Sequence, residues 1–273
     1  MATVRFLATL ISRYATRLVF GESEQLLRVG LRDMPRPSRP WYLAACGVVW
    51  IFFRGWSRWD RRGLDNIPTD GGVMMVSNHL SSADPPMLAA AMYPRWPKYM
   101  AKIELFQKPF IGYLFALSGA FPVRRFDADT GALREAERHL EAGEILGMFP
   151  EGHRSDTGAL IEAHPGTALL AVRTNVPVLP VAITGSERFR RGWRVFFQRP
   201  KVRVVFGQPF QIDHQGRVTR AAVEAASLRI MREIATQLPE KYRGVYRDRF
   251  PDLPAEAAID LASADDSAVA LSR

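Results

Sequence analysis

The sequence of 273 residues contains one cysteine, Cys46, and neither an internal repeat nor a glycine-rich phosphate-binding loop. A lone cysteine excludes an intrachain disulfide and a cysteine-based zinc cluster. Without the glycine-rich loop, the sequence predicts no phosphate-loop nucleotide site. Acidic residues are in the minority, since 28 Asp and Glu stand against 37 Lys and Arg. The resulting net charge of +9 favours an anionic partner, such as a membrane surface, a phosphorylated substrate or nucleic acid.

The apolar run over residues 41–53 is short of the roughly 20 residues that a membrane-spanning helix needs. It ends at Arg54, and the tryptophans and arginines of residues 56–62 suit the headgroup region of a bilayer. Residues 4–20 have the apolar spacing of a helix, and the arginines among them exclude a signal-peptide core. We therefore predict that residues 1–62 form a membrane-associating segment whose two helices lie in one leaflet. The alternatives are a helical pair packed on a soluble domain and, less favoured, a tilted span.

Apolar, β-prone runs alternate with helical segments over residues 63–215. The predicted strands cover residues 73–78, 98–101, 119–125, 144–149, 176–183 and 202–206, and the predicted helices cover residues 84–92, 110–117, 130–142 and 165–174. Such alternation is typical of an α/β fold, in which helices flank a mixed, largely parallel sheet. A C-terminal region over residues 216–250 follows. It holds a helix at 219–238 and a basic, aromatic stretch at 241–249, which is either a membrane-facing surface or a solvated end. Residues 251–273 have no periodic apolar face, and we predict a disordered tail.

His79 and Asp84 form the first candidate for chemistry. The apolar run before His79 predicts a strand, while Asp84 followed by Pro85 and Pro86 predicts a helix that Asp84 caps. A turn between the two elements would let the side chains meet, whereas one continuous helix would hold them about 140° apart. A histidine held by a carboxylate is a common general base near neutral pH. The two prolines lack N–H groups and would leave Asp84 available to His79. The alternative is a surface histidine beside a helix cap.

Three of the predicted strands end in polar or charged side chains. These are His79 and Asp84 after the first, Arg124 and Arg125 at the end of the second, and Glu151, Gly152 and Arg154 after the third. Polar groups just past strand ends gather in one crevice of an α/β fold. Arginine binds phosphate oxygens in a planar, bidentate fashion, so we predict a phosphate-bearing ligand, with a solvated strand end as the alternative for the two adjacent arginines. Glu151 is open between a carboxylate that accepts backbone N–H bonds and one that contacts substrate hydroxyls.

Four segments resemble, in order, the motifs of the glycerolipid acyltransferases. Residues 78–84 are similar to the signature N-H-x-S-x-x-D, with Asn78, His79, Ser81 and Asp84 at its defined positions. Residues 119–125 are similar to the second motif, which ends in arginine. Residues 149–155, with Pro150 and Ser155, are similar to the third, usually F-P-E-G-T-R-S, and residues 176–182, with Pro177 and Pro180, to the fourth. The motifs extend from about residue 78 to residue 185, within a coarser similarity over residues 41–210.

The resemblance implies acyl transfer to a lipid hydroxyl. His79, oriented by Asp84, would be the general base, and the acceptor hydroxyl of 1-acylglycerol 3-phosphate would attack the thioester of acyl-CoA or acyl carrier protein to give phosphatidic acid. By motif position, the acceptor-binding residues would be Arg125 with its neighbour Arg124 for the phosphate, and Glu151, Gly152 and Arg154 in the third motif. The resemblance implies no metal and no cofactor beyond the acyl co-substrate. It places such an enzyme on the cytoplasmic face of the cell membrane, as a peripheral or monotopic protein.

Two histidines depart from the family pattern. His153 stands where threonine is usual, and His164 stands at a position that is commonly basic. His153 is a weak candidate for a second base, because the first motif already supplies a His–Asp pair. The departures keep other acceptors open, namely another lysophospholipid, glycerol 3-phosphate or a lipid-like molecule. A basic membrane-binding or nucleic-acid-binding protein is the alternative without catalysis. It is disfavoured because the arginines accompany a His–Asp pair and no nucleic-acid module is present.

Overall fold

A computed structural model describes residues 39–106, 112, 115, 116, 118–123, 130–190 and 199–256. The chain divides into two compact units. The larger unit holds residues 44–99 and the described residues from 133 onward, and the smaller unit holds the described residues up to 43 and within 100–132. The amphipathic helix predicted at residues 4–20, most of the helix predicted at 110–117, and Arg124 and Arg125 lie outside the described residues.

The larger unit is built on a mixed, largely parallel sheet with the strand order β1-β7-β6-β2-β5-β3. Its strands are β1 (Arg58–Arg62), β2 (Val73–Ser77), β3 (Pro97–Lys102), β5 (Ile145–Met148), β6 (Val178–Thr184) and β7 (Lys201–Phe206). Strands β6 and β7 are antiparallel, and the other neighbours in this order are parallel. The predicted class of sheet is therefore confirmed. In the smaller unit, β4 (Phe121–Val123) pairs in parallel with residues 100–102.

The described helices are α1 (Arg39–Trp56), α2 (Asp84–Ala91), α3 (Ile103–Phe106), α4 (Thr130–Glu141), α5 (Pro165–Thr174) and α6 (Arg220–Thr236). Apart from the short α3, all of them lie within a few residues of the predicted helices. The start of α6 follows the expected chemistry, since Oγ1 of Thr219 accepts a hydrogen bond from the N–H of Ala222 at 3.2 Å.

The core lies around the central strands β2 and β6. All five residues of β2 are buried, which is typical of a parallel strand that is covered on both faces. Side chains from α1, α2 and the strands share one buried cluster, which includes Phe53, Met75, Leu88, Leu179, Val204 and Phe206. This core holds the ends of β2 and β5 in place, and the candidate site lies just beyond those ends.

Strand β1 was not predicted. We assigned residues 58–62 to the N-terminal segment, but Arg58–Arg62 pairs with Lys201–Val205 of β7 at the edge of the sheet. The sequence R-W-D-R-R lacks an apolar pattern because an edge strand keeps much of its surface in water, where charged side chains also oppose aggregation. Asp60 supports the pairing, since its Oδ2 accepts a hydrogen bond from Nε of Arg203 on β7 at 2.9 Å.

Helix α1 has one buried and one exposed apolar face. Cys46 and Phe53 are buried, and the ring of Phe53 packs on that of Phe189 with centroids 5.4 Å apart. On other sides of the helix, Val48 and Ile51 are 67% and 66% exposed. No helix in the described ranges combines the length and the apolar character that crossing a bilayer requires.

The basic, aromatic stretch at residues 241–249 is partly buried, because Arg243 and Tyr246 are 2% exposed whereas most of its other residues are exposed. Arg243 donates hydrogen bonds to the carbonyl oxygens of Ala235, Leu238, Leu253 and Pro254. We predicted disorder from residue 251, but the first residues of that tail are held by these bonds. Residues 257–273 lie outside the described residues.

Candidate active site

His79 and Asp84 meet at the carboxyl end of β2. His79 follows the strand after one residue, and Asp84 is the first residue of α2, so the predicted turn lies between them. Nδ1 of His79 is 3.0 Å from Oδ2 of Asp84. Asp84 is fully buried and His79 is 8% exposed. The pair is therefore well shielded from bulk water. In this buried position its electrostatic interaction is stronger than it would be at the surface.

Asp84 holds the turn as well as the histidine. Its Oδ2 also accepts hydrogen bonds from the N–H groups of Leu80 and Ser81, each at 2.7 Å. We predicted that Asp84 caps α2, but Ala83 occupies the cap position and Asp84 begins the helix. The next two residues are prolines and offer no N–H, so the carboxylate turns back to the preceding loop. The turn and the orientation of the histidine thus depend on the same oxygen.

The imidazole of His79 is oriented by two contacts. An ionised Asp84 can only accept hydrogen bonds, so the ring proton is assigned to Nδ1 and the lone pair to Nε2. The ring of Phe149, just past β5, stacks on the imidazole with centroids 4.2 Å apart and an interplanar angle of 23°. The side chain is therefore presented as a base through Nε2.

Glu151 connects the two motif segments through their backbones. Its Oε1 accepts the N–H of His79 at 2.8 Å, and its Oε2 accepts the N–H of Ile161 at 3.0 Å. The side chain is fully buried. Burial raises the pKa of Glu151 to about 7; the two backbone hydrogen bonds oppose this shift and the charge of Asp84 adds to it. The sequence left open whether Glu151 accepts backbone N–H bonds or contacts substrate hydroxyls. The observed contacts are those of a structural carboxylate, and contact with a substrate hydroxyl stays a prediction.

The loop after β5 contacts the loop after β2. The N–H of Ser155 donates to the carbonyl oxygen of His79 at 2.8 Å. Nη1 of Arg154 donates to Oγ of Ser82 at 2.8 Å. The structure thus brings the third motif onto the first, as their positions at strand ends predicted.

Gly152 and Pro150 shape the turn of the third motif. Gly152 has a φ of +69°, and a Cβ there would lie 2.6 Å from Cδ2 of His164. A side chain at this position would be strained in conformation and would require the ring of His164 to shift. The carbonyl oxygen of Pro150 accepts the N–H of His164 at 2.8 Å, which ties the turn to the start of α5.

Asn78 joins the end of β2 to the end of β6. Its Nδ2 donates to the carbonyl oxygen of Ile183 at 2.9 Å, and its Oδ1 accepts the N–H of Ile183 at 2.7 Å. The prolines of the fourth motif lie on the same strand region, where the carbonyl oxygen of Pro177 accepts the N–H of Met74 at 2.9 Å and that of Pro180 accepts the N–H of Gly207 at 2.8 Å. These three motif residues therefore contact neighbouring strands or the loop after β7, and not the imidazole.

Three predicted residues remain, namely His153, Arg124 and Arg125. His153 is exposed, and its Nδ1 lies 3.1 Å from the carbonyl oxygen of Arg154. The phosphate-binding role predicted for Arg124 and Arg125 stays a prediction, because both residues lie outside the described ranges. Within those ranges, no group of three or more His, Cys, Asp or Glu side chains is arranged to hold a metal ion.

Sequence reasoning missed the aromatic side chains behind the pair. Phe149 lies between His79 and Tyr99, whose ring is nearly parallel to it at 14° with centroids 6.2 Å apart. Phe149 had a signal, since it is the first residue of the third motif. Tyr99 had none, because its position depends on the order of the strands.

Comparison with known proteins gives consistent matches. The profile of the family described as Acyltransferase matches residues 58–184. The 1-acyl-sn-glycerol-3-phosphate acyltransferase of Bacillus subtilis (strain 168) is 29% identical over 145 residues, which cover 53% of this chain and 70% of that protein. The protein of the same name from Streptococcus pneumoniae is 28% identical over 190 residues, 69% of each chain. The crystal structure of the 1-acyl-sn-glycerophosphate acyltransferase PlsC from Thermotoga maritima shares the fold, with a TM-score of 0.53 and 24% identity over 86% of this chain and 90% of that one.

Proposed function

We propose that the chain is a glycerolipid acyltransferase that transfers a fatty acyl group from an acyl thioester to the free hydroxyl of 1-acylglycerol 3-phosphate. The product is phosphatidic acid, and the role is in phospholipid biosynthesis. The observation that carries this proposal is the buried contact of 3.0 Å between Nδ1 of His79 and Oδ2 of Asp84 at a strand end. The acceptor is supported by the names of the relatives in Bacillus subtilis and Streptococcus pneumoniae.

The geometry supports general base catalysis. Nε2 of His79 takes the proton of the acceptor hydroxyl while the oxygen attacks the thioester carbonyl carbon. The tetrahedral intermediate collapses, the carbon–sulfur bond breaks, and the imidazolium returns the proton to the leaving thiolate. Asp84 stabilises the imidazolium between these steps. A positioned base of this kind contributes about 10²-fold to 10⁴-fold to the rate.

Both acyl-CoA and acyl carrier protein present the same thioester to this base, and the proposal includes either as donor. We assign the binding of the acceptor phosphate to Arg124 and Arg125. Arg154 lies beside the pair of His79 and Asp84, called the dyad below, through its hydrogen bond to Ser82. A guanidinium suits this task because it pairs with two phosphate oxygens at once.

We further propose that the protein works at the cytoplasmic face of the cell membrane as a peripheral or monotopic enzyme. The support is the exposed apolar face of α1, which includes Val48, Ile51 and Phe52, together with Arg54 at its end and a net charge of +9. Apolar side chains flanked by cations are typical of surfaces that bind anionic bilayers.

The test is thiol release from acyl-CoA and from acyl carrier protein, with and without 1-acylglycerol 3-phosphate, for the wild type and for His79→Ala. Release that needs the acceptor and falls at least about 10²-fold in the variant is expected. Glycerol 3-phosphate and other lysophospholipids serve as parallel acceptors. Preference for one of them would overturn the assigned acceptor, and release that persists in His79→Ala would overturn the base.

A further inference from the structure

Two buried polar atoms behind the dyad have no hydrogen-bond partner within the described part of the chain. They are Oδ1 of Asp84 and Oη of Tyr99. By contrast, Oδ2 of Asp84 accepts three hydrogen bonds. Buried polar atoms almost always have a partner, either in the protein or in an ordered water molecule, because an unsatisfied one is costly. Within the described part of the chain, the carboxylate that orients His79 is thus hydrogen-bonded through Oδ2 alone.

Tyr99 of β3 extends its ring across β5. It is paired with Gly147, and a Cβ at Gly147 would lie 2.2 Å from Cε1 of Tyr99 and 3.0 Å from Cε of Met75 on β2. The tyrosine ring therefore occupies the space that a side chain at position 147 would fill, on the same face of the sheet as Met75. It continues the stack in which Phe149 covers His79.

The carboxyl group of Asp84 interacts electrostatically with the hydroxyl of Tyr99. Burial raises the pKa of Tyr99 well above its usual value, and interactions with Cys46 and with Asp84 add to this shift. The hydroxyl consequently keeps its proton and can donate a hydrogen bond. An ionised carboxylate oxygen is the acceptor that such a donor suits best.

We propose that one buried water molecule bridges Oη of Tyr99 and Oδ1 of Asp84, and that Tyr99 is thereby a positioning residue for the dyad. A buried water makes about two to four hydrogen bonds to groups that the protein leaves unsatisfied, and these two atoms supply a donor and an acceptor. The water holds the plane of the carboxylate so that Oδ2 stays on Nδ1 of His79. The effect of Tyr99 on catalysis rests on the proposed acyl transfer, whereas the water site does not.

The other ionisable groups around the pair are defined. Glu151 accepts the backbone N–H of His79, Cys46 of α1 interacts with Tyr99, and Arg154 approaches through Ser82. A Tyr99→Phe variant removes only the hydroxyl, so it ends the interaction with Cys46 and leaves the contacts of Glu151 and Arg154 in place. Without that donor, the negative charge of Asp84 is stabilised by fewer hydrogen bonds. Asp84 then holds the imidazole proton more strongly. The base is then freed of its proton only at higher pH.

The kinetic test compares Tyr99→Phe with the wild type and with Tyr242→Phe, which removes another part-buried hydroxyl that is bonded to Glu187. For Tyr99→Phe we expect kcat to fall by about tenfold with KM within about twofold, the loss expected for one hydrogen bond to a charged group. The acidic limb of the pH profile of kcat/KM should shift upward, by about half a pH unit or more. The control should show neither change. An active wild type whose kcat and pH profile are matched by Tyr99→Phe would overturn the positioning role.

A crystal structure at a resolution that shows ordered water tests the site without using activity. Density for one water within hydrogen-bond distance of both atoms, and its loss in Tyr99→Phe, is the expected result. Absence of this density, or a direct hydrogen bond between the two side chains, would overturn the bridge. If the wild type releases no thiol with any donor and acceptor, the proposed function fails, and the density still decides the water site.

Discussion

The backbone N–H of His79 donates a hydrogen bond of 2.8 Å to Oε1 of Glu151, 72 positions further along the chain. The other oxygen of the same carboxyl group accepts the N–H of Ile161. Glu151 therefore determines where the backbone of the general base lies, while Asp84 determines how its ring is turned. The two carboxyl groups of the site have different tasks because one contacts the backbone and the other contacts the imidazole.

Replacing Glu151 with glutamine keeps the size of the side chain but removes one of its two acceptor oxygens. The amide has one oxygen, so its NH₂ group must face the N–H of either His79 or Ile161. We expect a loss of about 1–3 kcal/mol in the free energy of unfolding, the usual cost of leaving a buried donor unsatisfied, and a lower kcat. Urea unfolding and thiol release measure the two effects. Glu162→Gln, which removes an exposed ion pair with Arg249, is the control and should change stability by less than about 1 kcal/mol.

The same carboxyl group makes a definite contribution to the pH dependence of stability. Its pKa is about 7 in the folded protein and 4.5 in its ordinary state. A raised pKa stabilises the fold fully below about pH 4.5, and this contribution is lost as pH rises through about 7, with a limit of roughly 3 kcal/mol. The free energy of unfolding of the wild type, minus that of Glu151→Gln, should therefore decrease between pH 4 and pH 8. A difference that grows with pH would contradict the raised pKa.

The turn between His79 and Asp84 could be predicted because its signals are local: an apolar run, a histidine, and an aspartate before two prolines. The direction of the Asp84 carboxylate was harder to predict. An aspartate at this position can either cap the helix that follows or accept hydrogen bonds from the loop that precedes it. The role of Glu151 stayed open because it depends on a backbone donor far away in the sequence. Tyr99 gave no signal at all. Its approach to the dyad follows from the adjacency of β2, β5 and β3, which no local pattern encodes.

A histidine beside a carboxylate is not by itself sufficient to mark the site. His139 on α4 contacts both Glu135 and Glu144. Glu144 lies at the amino end of β5, whereas Glu151 lies past its carboxyl end. The side chains differ in burial, since that of Glu144 is 37% exposed and that of Asp84 is fully buried. Position at the carboxyl ends of the strands, together with burial, distinguishes the pair formed by His79 and Asp84.

Asp84→Asn should reduce kcat far more than it changes KM. Oδ2 of Asp84 receives three donors, and a neutral amide oxygen at that place stabilises the imidazolium much less. We expect a loss of about 10²-fold to 10⁴-fold in kcat, the range of general base catalysis. Thiol release under saturating substrates measures it. The exposed Asp65 provides the control, and Asp65→Asn should leave kcat within about twofold.

Arg243 should prove important for stability without any role in the chemistry. It is almost fully buried and donates to four carbonyl oxygens around the end of α6 and the following tail. Lysine cannot reproduce the planar fork, so Arg243→Lys should lower the free energy of unfolding by about 2–3 kcal/mol. Arg247→Lys is the control, because Arg247 is largely exposed and forms an ion pair with Glu240. Equal stability of the two variants would show that the carbonyl contacts contribute little.

The exposed face of α1 leads to a prediction about membrane binding. Val48 and Ile51 are about two-thirds exposed, so the double variant Val48→Asp with Ile51→Asp should fold normally. Two apolar side chains that enter a bilayer contribute about 1.5–3 kcal/mol each, and a tenfold change in affinity corresponds to about 1.4 kcal/mol. Sedimentation with vesicles that contain anionic lipid should therefore show at least about a tenfold weaker affinity.

Leu228→Asp with Val245→Asp is the matched control, since both side chains are exposed apolar residues outside α1. This control should bind vesicles like the wild type, because charge affects the attraction to anionic lipid only near the bilayer surface and both positions lie outside the helix proposed to contact it. With a short-chain, water-soluble acceptor, both double variants should release thiol at the wild-type rate. If the α1 variant binds vesicles normally, the apolar face is not the membrane contact. If it loses turnover with the soluble acceptor as well, the helix affects the site itself, and its exposed face cannot be assigned to the bilayer alone.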